Sequence, residues 1–189
     1  MRYFKWLNSF EKNNCALIKL EGGEIGELAD GKPLAKLRPD PYTLTMDEEY
    51  RKHVRLTDSL YNDQDAIVAS PKLRDFLLAK LGKKLEALPV WIKDHKGRVA
   101  TKDYSFINIL EVQPCLAIEQ SQPSYGTISG KSVLLGVEAL TIDLKRLSPE
   151  AQLFRLKELL RPMLISEDLM NEITAKKFQG IRFFPVKTM

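Results

Sequence analysis

Little in this chain is equipped for chemistry. Its 189 residues hold two cysteines, Cys15 and Cys115, and two histidines, His53 and His95. The cysteines are far apart and lack C-x-x-C spacing, which excludes a local metal or redox motif; they read as buried free thiols. Neither histidine has a partner at ligand spacing, so each reads as a surface or turn residue rather than a metal ligand or a triad member. No G-x-S-x-G elbow and no H-E-x-x-H run is present. The sequence therefore offers no catalytic residues, no cofactor-binding residues and no metal ligands.

Long apolar runs are also missing. None approaches the ~20 residues of a membrane span. The opening Met1 to Asn8 is broken by Lys5 and Asn8 before a signal-peptide core can form. The expectation is a cytoplasmic protein with no membrane partner. At 44% apolar and 29% charged residues the composition is that of a soluble globular chain.

Two local patterns imitate function. Gly126-Thr-Ile-Ser-Gly130-Lys131-Ser132 has three residues between its glycines, not the four of a phosphate-cradling loop, and Val133-Leu134-Leu135 after it reads as a strand. It is expected to be a hairpin turn. Leu56 to Asp65 is acidic but lacks the D-x-D-x-D-G order of a calcium loop, and reads as a plain loop.

What the chain does have is a clear structural unit. Ile67-Val-Ala69 reads as a strand, Ser70 as a helix N-cap and Pro71 as the first helical residue. Leu73, Phe76, Leu77 and Leu81 fall on one helical face, Gly82 ends the helix, and Leu85 to Ile92 reads as a second strand. The pattern returns 96 residues later. Ser70, Leu73, Ala79, Lys80, Pro89 and Val90 match Ser166, Leu169, Ala175, Lys176, Pro185 and Val186 without a gap. Six identities exceed the roughly one or two that ordinary residue usage would give. Two similar strand–helix–strand units are expected, with Ser70 and Ser166 both at N-caps.

The rest of the chain is read more coarsely. Ala16 to Leu20 reads as a strand, Leu28 to Tyr42 (with Pro33, Pro39 and Pro41) as an extended loop, and Thr45-Met-Asp-Glu48 as a capping box opening a short helix toward His53. Lys93 to Arg98 reads as a hairpin turn, Tyr104 to Val112 as its return strand, and Lys131 to Leu144 as one or two strands. Ser148-Pro149-Glu150 reads as the start of a helix carrying Leu153, Leu156 and Leu160 on one face. The fold class expected is α+β: a single domain over residues 1–189 around a mixed, mainly antiparallel sheet, with an irregular portion 1–65 packed on a 66–189 core. Phe76, Leu77, Trp91, Ile107, Leu169, Ile173 and Phe184 are the expected core.

Charge is unevenly placed. From Lys72 to Lys102 nine lysines and arginines face three acids, a net of +6, so the rest of the chain carries −2 of the total +4. Lys93, Lys96, Arg98 and Lys102 at the hairpin, with Lys83 and Lys84 at the helix end, are the candidate partner-binding residues, because a field of one sign steers an acidic partner. Nucleic acid is a poor fit: the aromatics of the segment, Phe76 and Trp91, sit on a helix face and in a strand rather than interleaved with the basic residues.

The run Ile67 to Leu77, then Leu88-Pro89-Val90, Tyr104 to Asn108, Ala117 to Ser121, Leu153-Phe154-Arg155-Leu156, Leu164 to Leu169 and Gly180 to Val186 resembles, in order and spacing, one bacterial family. That family was first described as a domain of unknown function and later assigned as immunity proteins of polymorphic toxin systems. Glu119 departs from its usual Asp nearby, and the family reads Leu153 to Leu156 as extended, against the helix above. The resemblance implies a non-enzymatic binding protein that neutralises a cognate toxin by occlusion. The alternative is a small-molecule-binding or enzymatic domain with a site assembled from scattered residues.

Overall fold

Leu88, Val90 and Ile92 are buried, Pro89 is exposed, and Trp91 and Lys93 are half-covered. This is the period of two that a strand shows when one face lies on a core. The same logic repeats through most of the chain. A computed structural model describes every residue except Ile25, Arg38 and Pro39. In chain order the strands are β1 (Tyr3–Asn8), β2 (Ala16–Glu21), β3 (Tyr42–Met46), β4 (Ser59–Asn62), β5 (Ile67–Ala69), β6 (Leu85–Lys93) and β7 (Val99–Ile109). There follow β8 (Val112–Gln113), β9 (Pro123–Ile128), β10 (Lys131–Val137), β11 (Thr141–Ile142), β12 (Leu153–Leu156), β13 (Met163–Ser166) and β14 (Ile181–Thr188). Helix α1 is Pro71–Leu81 and helix α2 is Glu167–Ala175. The architecture is α+β-like and mostly β.

Instead of one sheet there are two large ones and a ribbon. Strands β2-β3-β6-β7-β5-β4 close into a barrel, and β11-β14-β1-β13-β12-β8 form a six-stranded sheet. An antiparallel bridge between Leu116 and Ile142 ties the second sheet's two ends. Closure removes the unpaired edges that a single open sheet would leave. Strands β9 and β10 pair only with each other.

The pairing of the two large sheets runs in parallel. In the barrel, β7 lies antiparallel between β5 and β6, with Val68 and Leu88 both opposite Phe106, and Ala69 and Pro89 both opposite Ser105. In the second sheet β1 lies antiparallel between β13 and β14, with Leu164 and Phe184 both opposite Lys5, and Ile165 and Pro185 both opposite Phe4. Further out, Leu60 faces Val68 as Phe154 faces Leu164. Tyr61 pairs in parallel with Ala16 as Arg155 does with Val112. Thr43 pairs with Trp91 as Thr141 does with Lys187.

Three hydrophobic cores result. One fills the barrel around Tyr42, Leu44, Leu60, Leu88 and Phe106. A second lies on the inner face of the other sheet around Tyr3, Phe154, Leu156 and Leu164. Between them sits the third, where Leu73, Leu77 and Leu81 of α1 and Leu169 and Ile173 of α2 meet Trp6, Ile107 and Ile165. Ser70 and Ser166 cap the two helices, accepting from Leu73 N at 3.3 Å and Leu169 N at 3.4 Å.

Several expectations are corrected. Residues 153–156 are strand β12, not helix: Leu153, Phe154, Arg155 and Leu156 are all buried, and a strand covered on both faces loses the period of two, so its leucines imitate helical spacing. Thr45 lies inside β3; the cap is Asp47, whose carboxylate accepts from Glu49 N at 2.9 Å and starts only a 3-10 turn. The acidic loop contains β4, because Ser59, Leu60 and Asn62 point into the cores. Residues 1–65 are not an irregular annex: they supply three barrel strands and the middle strand of the second sheet. Pro39, part of the expected extended loop, lies outside the described residues. Leu77, Ile107, Leu169 and Ile173 are buried, whereas Phe76 and Trp91 are half-buried and Phe184 is 48% exposed.

Candidate partner-binding surface

The hairpin joining β6 to β7 is built by one carboxylate. Asp94 Oδ1 accepts from Lys96 N at 2.8 Å and Arg98 N at 3.0 Å, while Oδ2 takes Arg98 Nε at 3.0 Å and Nη2 at 2.8 Å. Gly97 supplies the positive φ of 75° that closes the turn. The backbone N–H of Arg98, then its guanidinium, push the Asp94 carboxyl down to about 2. Lys93 Nζ lies 2.8 Å from Glu21 Oε2, which lowers the Glu21 carboxyl below its ordinary range. Lys102 places its ammonium 4.1 Å from the ring centroid of Trp91, on the outer face of the barrel.

The other two candidates lie elsewhere. Lys83 and Lys84 precede the first residue of β6, and Lys93 is its last, so about 26 Å of strand separates the groups at 3.3 Å per residue. Lys84 is engaged by Glu111 Oε2 at 3.0 Å and by the Glu150 carbonyl at 3.1 Å. Lys83 is exposed and forms no ion pair among the described residues. The six residues therefore do not make one patch. Lys93, Lys96, Arg98 and Lys102 share a hairpin, and Lys96 and Lys102 are its exposed cations without an ion-pair partner among the described residues.

Two features escaped the sequence reading. Trp91, expected in the core, is turned outward by the alternation of Leu88, Val90 and Ile92. It stands beside basic residues as a half-exposed aromatic of the kind that anchors protein interfaces. A second exposed cluster gathers Phe10, Tyr50, His53 and Tyr61, with Phe10 ring centroids 4.8 Å from Tyr50, 5.3 Å from His53 and 5.2 Å from Tyr61. These residues come from three separate segments, Phe10, the Tyr50–His53 turn and Tyr61, so spacing gave no sign of the cluster.

Arg155, inside the motif that carries the family resemblance, is 1% exposed. Its Nη1 donates to the Leu160 and Arg161 carbonyls at 2.8 and 3.0 Å, which pins the turn before β13. Burial pushes its pKa down to about 10, so it remains charged at neutral pH. The thiols of Cys15 and Cys115 are pushed up by burial to about 12 and about 11. Among the described residues no group of three or more His, Cys, Asp or Glu could hold a metal ion, and no helix is long and apolar enough to cross a membrane.

The sequence model of the immunity protein family Imm11 matches residues 17–188. The chain belongs to the Imm11 immunity protein family. The match covers every strand except β1, and all of β2 but Ala16. No curated protein matches the chain. Membership in Imm11 gives the basic hairpin and the aromatic cluster a context, because an immunity function is exercised against a toxin.

Proposed function

We propose that this Imm11 chain acts in the cytoplasm of a toxin-producing bacterium, in a polymorphic toxin system, by binding a cognate toxin and covering its working surface. The family match over residues 17–188 carries this reading. Occlusion, rather than modification of the toxin, is favoured by what the exposed surface offers: a rigid turn displaying Lys96, Arg98 and Lys102 beside Trp91, suited to fast encounter with an acidic face. Lys83 and Lys84, at the far end of β6, belong to a separate and weaker contact at most, since Lys84 is already neutralised.

The whole chain is proposed to fold as one domain, and its two strand–helix–strand units as copies of one ancestral unit. What supports this is the shared register: each pair of residues flanking β7 lies 96 positions before the pair flanking β1.

Reversing Lys96 and Lys102 to Glu tests the surface, with association to the toxin domain encoded beside the gene followed by stopped flow. The association rate should fall and lose most of its salt dependence while the dissociation rate changes little. An unchanged rate and salt slope would move the binding face away from this hairpin.

A further inference from the structure

The two large sheets differ where their mouths should match. In the barrel, Phe106 and Tyr42 pack edge to face at 5.2 Å, both are fully buried, and Leu88 lies beside them. The segment linking β2 to β3 closes this mouth by burying Leu28 and Leu34. It is held by its backbone: Glu86 accepts from Leu34 N at 2.7 Å and Ala35 N at 3.0 Å, and Asn108 Nδ2 donates to the Lys32 carbonyl at 2.8 Å.

At the matching register of the second sheet the fillers are gone. Lys5 stands where Phe106 does, and Phe184 where Leu88 does. Leu140, just before the Thr141–Lys187 pair, takes the place of Tyr42. The link between β8 and β11 forms the β9–β10 ribbon, which packs Leu134 and Val137 against this sheet's core and leaves Tyr125, Ile128, Val133 and Leu135 exposed. The result is an open recess of about 350 Å³ lined by Lys5, Glu138, Leu140, Phe184, Val186 and Lys187. The lid anchors differ as well, one reversed in charge and one apolar. Arg182 holds the position of Glu86, and Leu7 that of Asn108.

We infer that this recess receives a loop of the partner protein that inserts a leucine- or phenylalanine-type side chain and carries an Asp or Glu beside it. The inserted side chain would cover Phe184 and Leu140, as Leu28 and Leu34 cover the barrel. Two lysines against Glu138 alone, with Lys5 and Lys187 in no ion pair among the described residues, select the carboxylate. The identity of that partner as the toxin rests on the proposed function above.

The test uses the full chain and the toxin domain encoded beside its gene. Phe184→Asp and Lys5→Glu should each weaken binding at least tenfold. The double variant Lys5→Phe, Leu140→Tyr, which rebuilds the barrel's ring pair, should do the same by filling the recess. Each variant is first checked for an unchanged thermal midpoint. Affinities within twofold of the parent overturn the inference and leave the family reading standing. If the parent itself does not bind the toxin domain, the proposed function fails and the recess is judged with anilinonaphthalene sulfonate, an aromatic anion. Fluorescence with the parent and its loss in the filled variant sustain the recess; equal fluorescence from both overturns it.

Discussion

Lys80 and Lys176, 96 residues apart, reach across to equivalent positions on each other's helix. Lys80 Nζ lies 2.5 Å from Glu172 Oε2, and Lys176 Nζ lies 5.4 Å from the ring centroid of Phe76. Positions 76 and 172 are themselves 96 apart. The two contacts thus fall at matching offsets, with a carboxylate in one and an aromatic face in the other, both of which attract an ammonium. Helices α1 and α2 both bury residues in the central core.

That arrangement orders two neighbouring substitutions. Phe76 is half-buried at the helix contact, 5.5 Å from the Phe178 ring, while Leu77 is fully buried below it. Leu77→Ala should cost about 2–5 kcal/mol, and Phe76→Ala about 1–3 kcal/mol despite its larger side chain. Urea midpoints measure both. A larger loss at Phe76 than at Leu77 would contradict the helix face described.

The second sheet also predicts how the chain can be cut and rejoined. Tyr3 pairs with Val186, so the two termini meet where the barrel has its β6–β7 hairpin. Joining Met189 to Met1 by about three glycine-rich residues and opening the chain between Lys96 and Gly97 should give a folded protein with a single unfolding transition. Loss of the native far-ultraviolet spectrum, or two separate transitions, would count against a single cooperative unit with this register.

Asp94 makes the hairpin pH-dependent. Its folded carboxyl titrates at about 2, below the ordinary value of 3.8, so its contribution is complete above about pH 4 and is lost as pH falls toward 2. Carboxyl chemical shifts should show a midpoint near 2 for Asp94, and Asp94→Asn should broaden the backbone signals of Lys96 to Arg98 at neutral pH. A midpoint near 3.8 would mean that the turn is not held by this group.

Much of this was legible in the residues. Ser70-Pro71 and Ser166 marked both helices because a cap side chain acts locally. The misses have a common cause. Strand β12 lies between β13 and β8 and is covered on its two faces by two cores, so its alternation is erased. The mouth of the second sheet opens only because Lys5 and Phe184, 179 positions apart, become neighbours across β1 and β14. The split between Lys83 and Lys93 is a matter of strand length, invisible while β6 is only a run of letters.

The central claim, protection by occlusion, has a direct measurement. A fixed amount of the toxin domain, assayed for its own activity, is titrated with this Imm11 protein. Occlusion predicts that activity falls linearly and ends at one immunity molecule per toxin, with a complex of that stoichiometry in solution. Complete loss of toxin activity at a small fraction of an equivalent would show turnover, and would contradict the account.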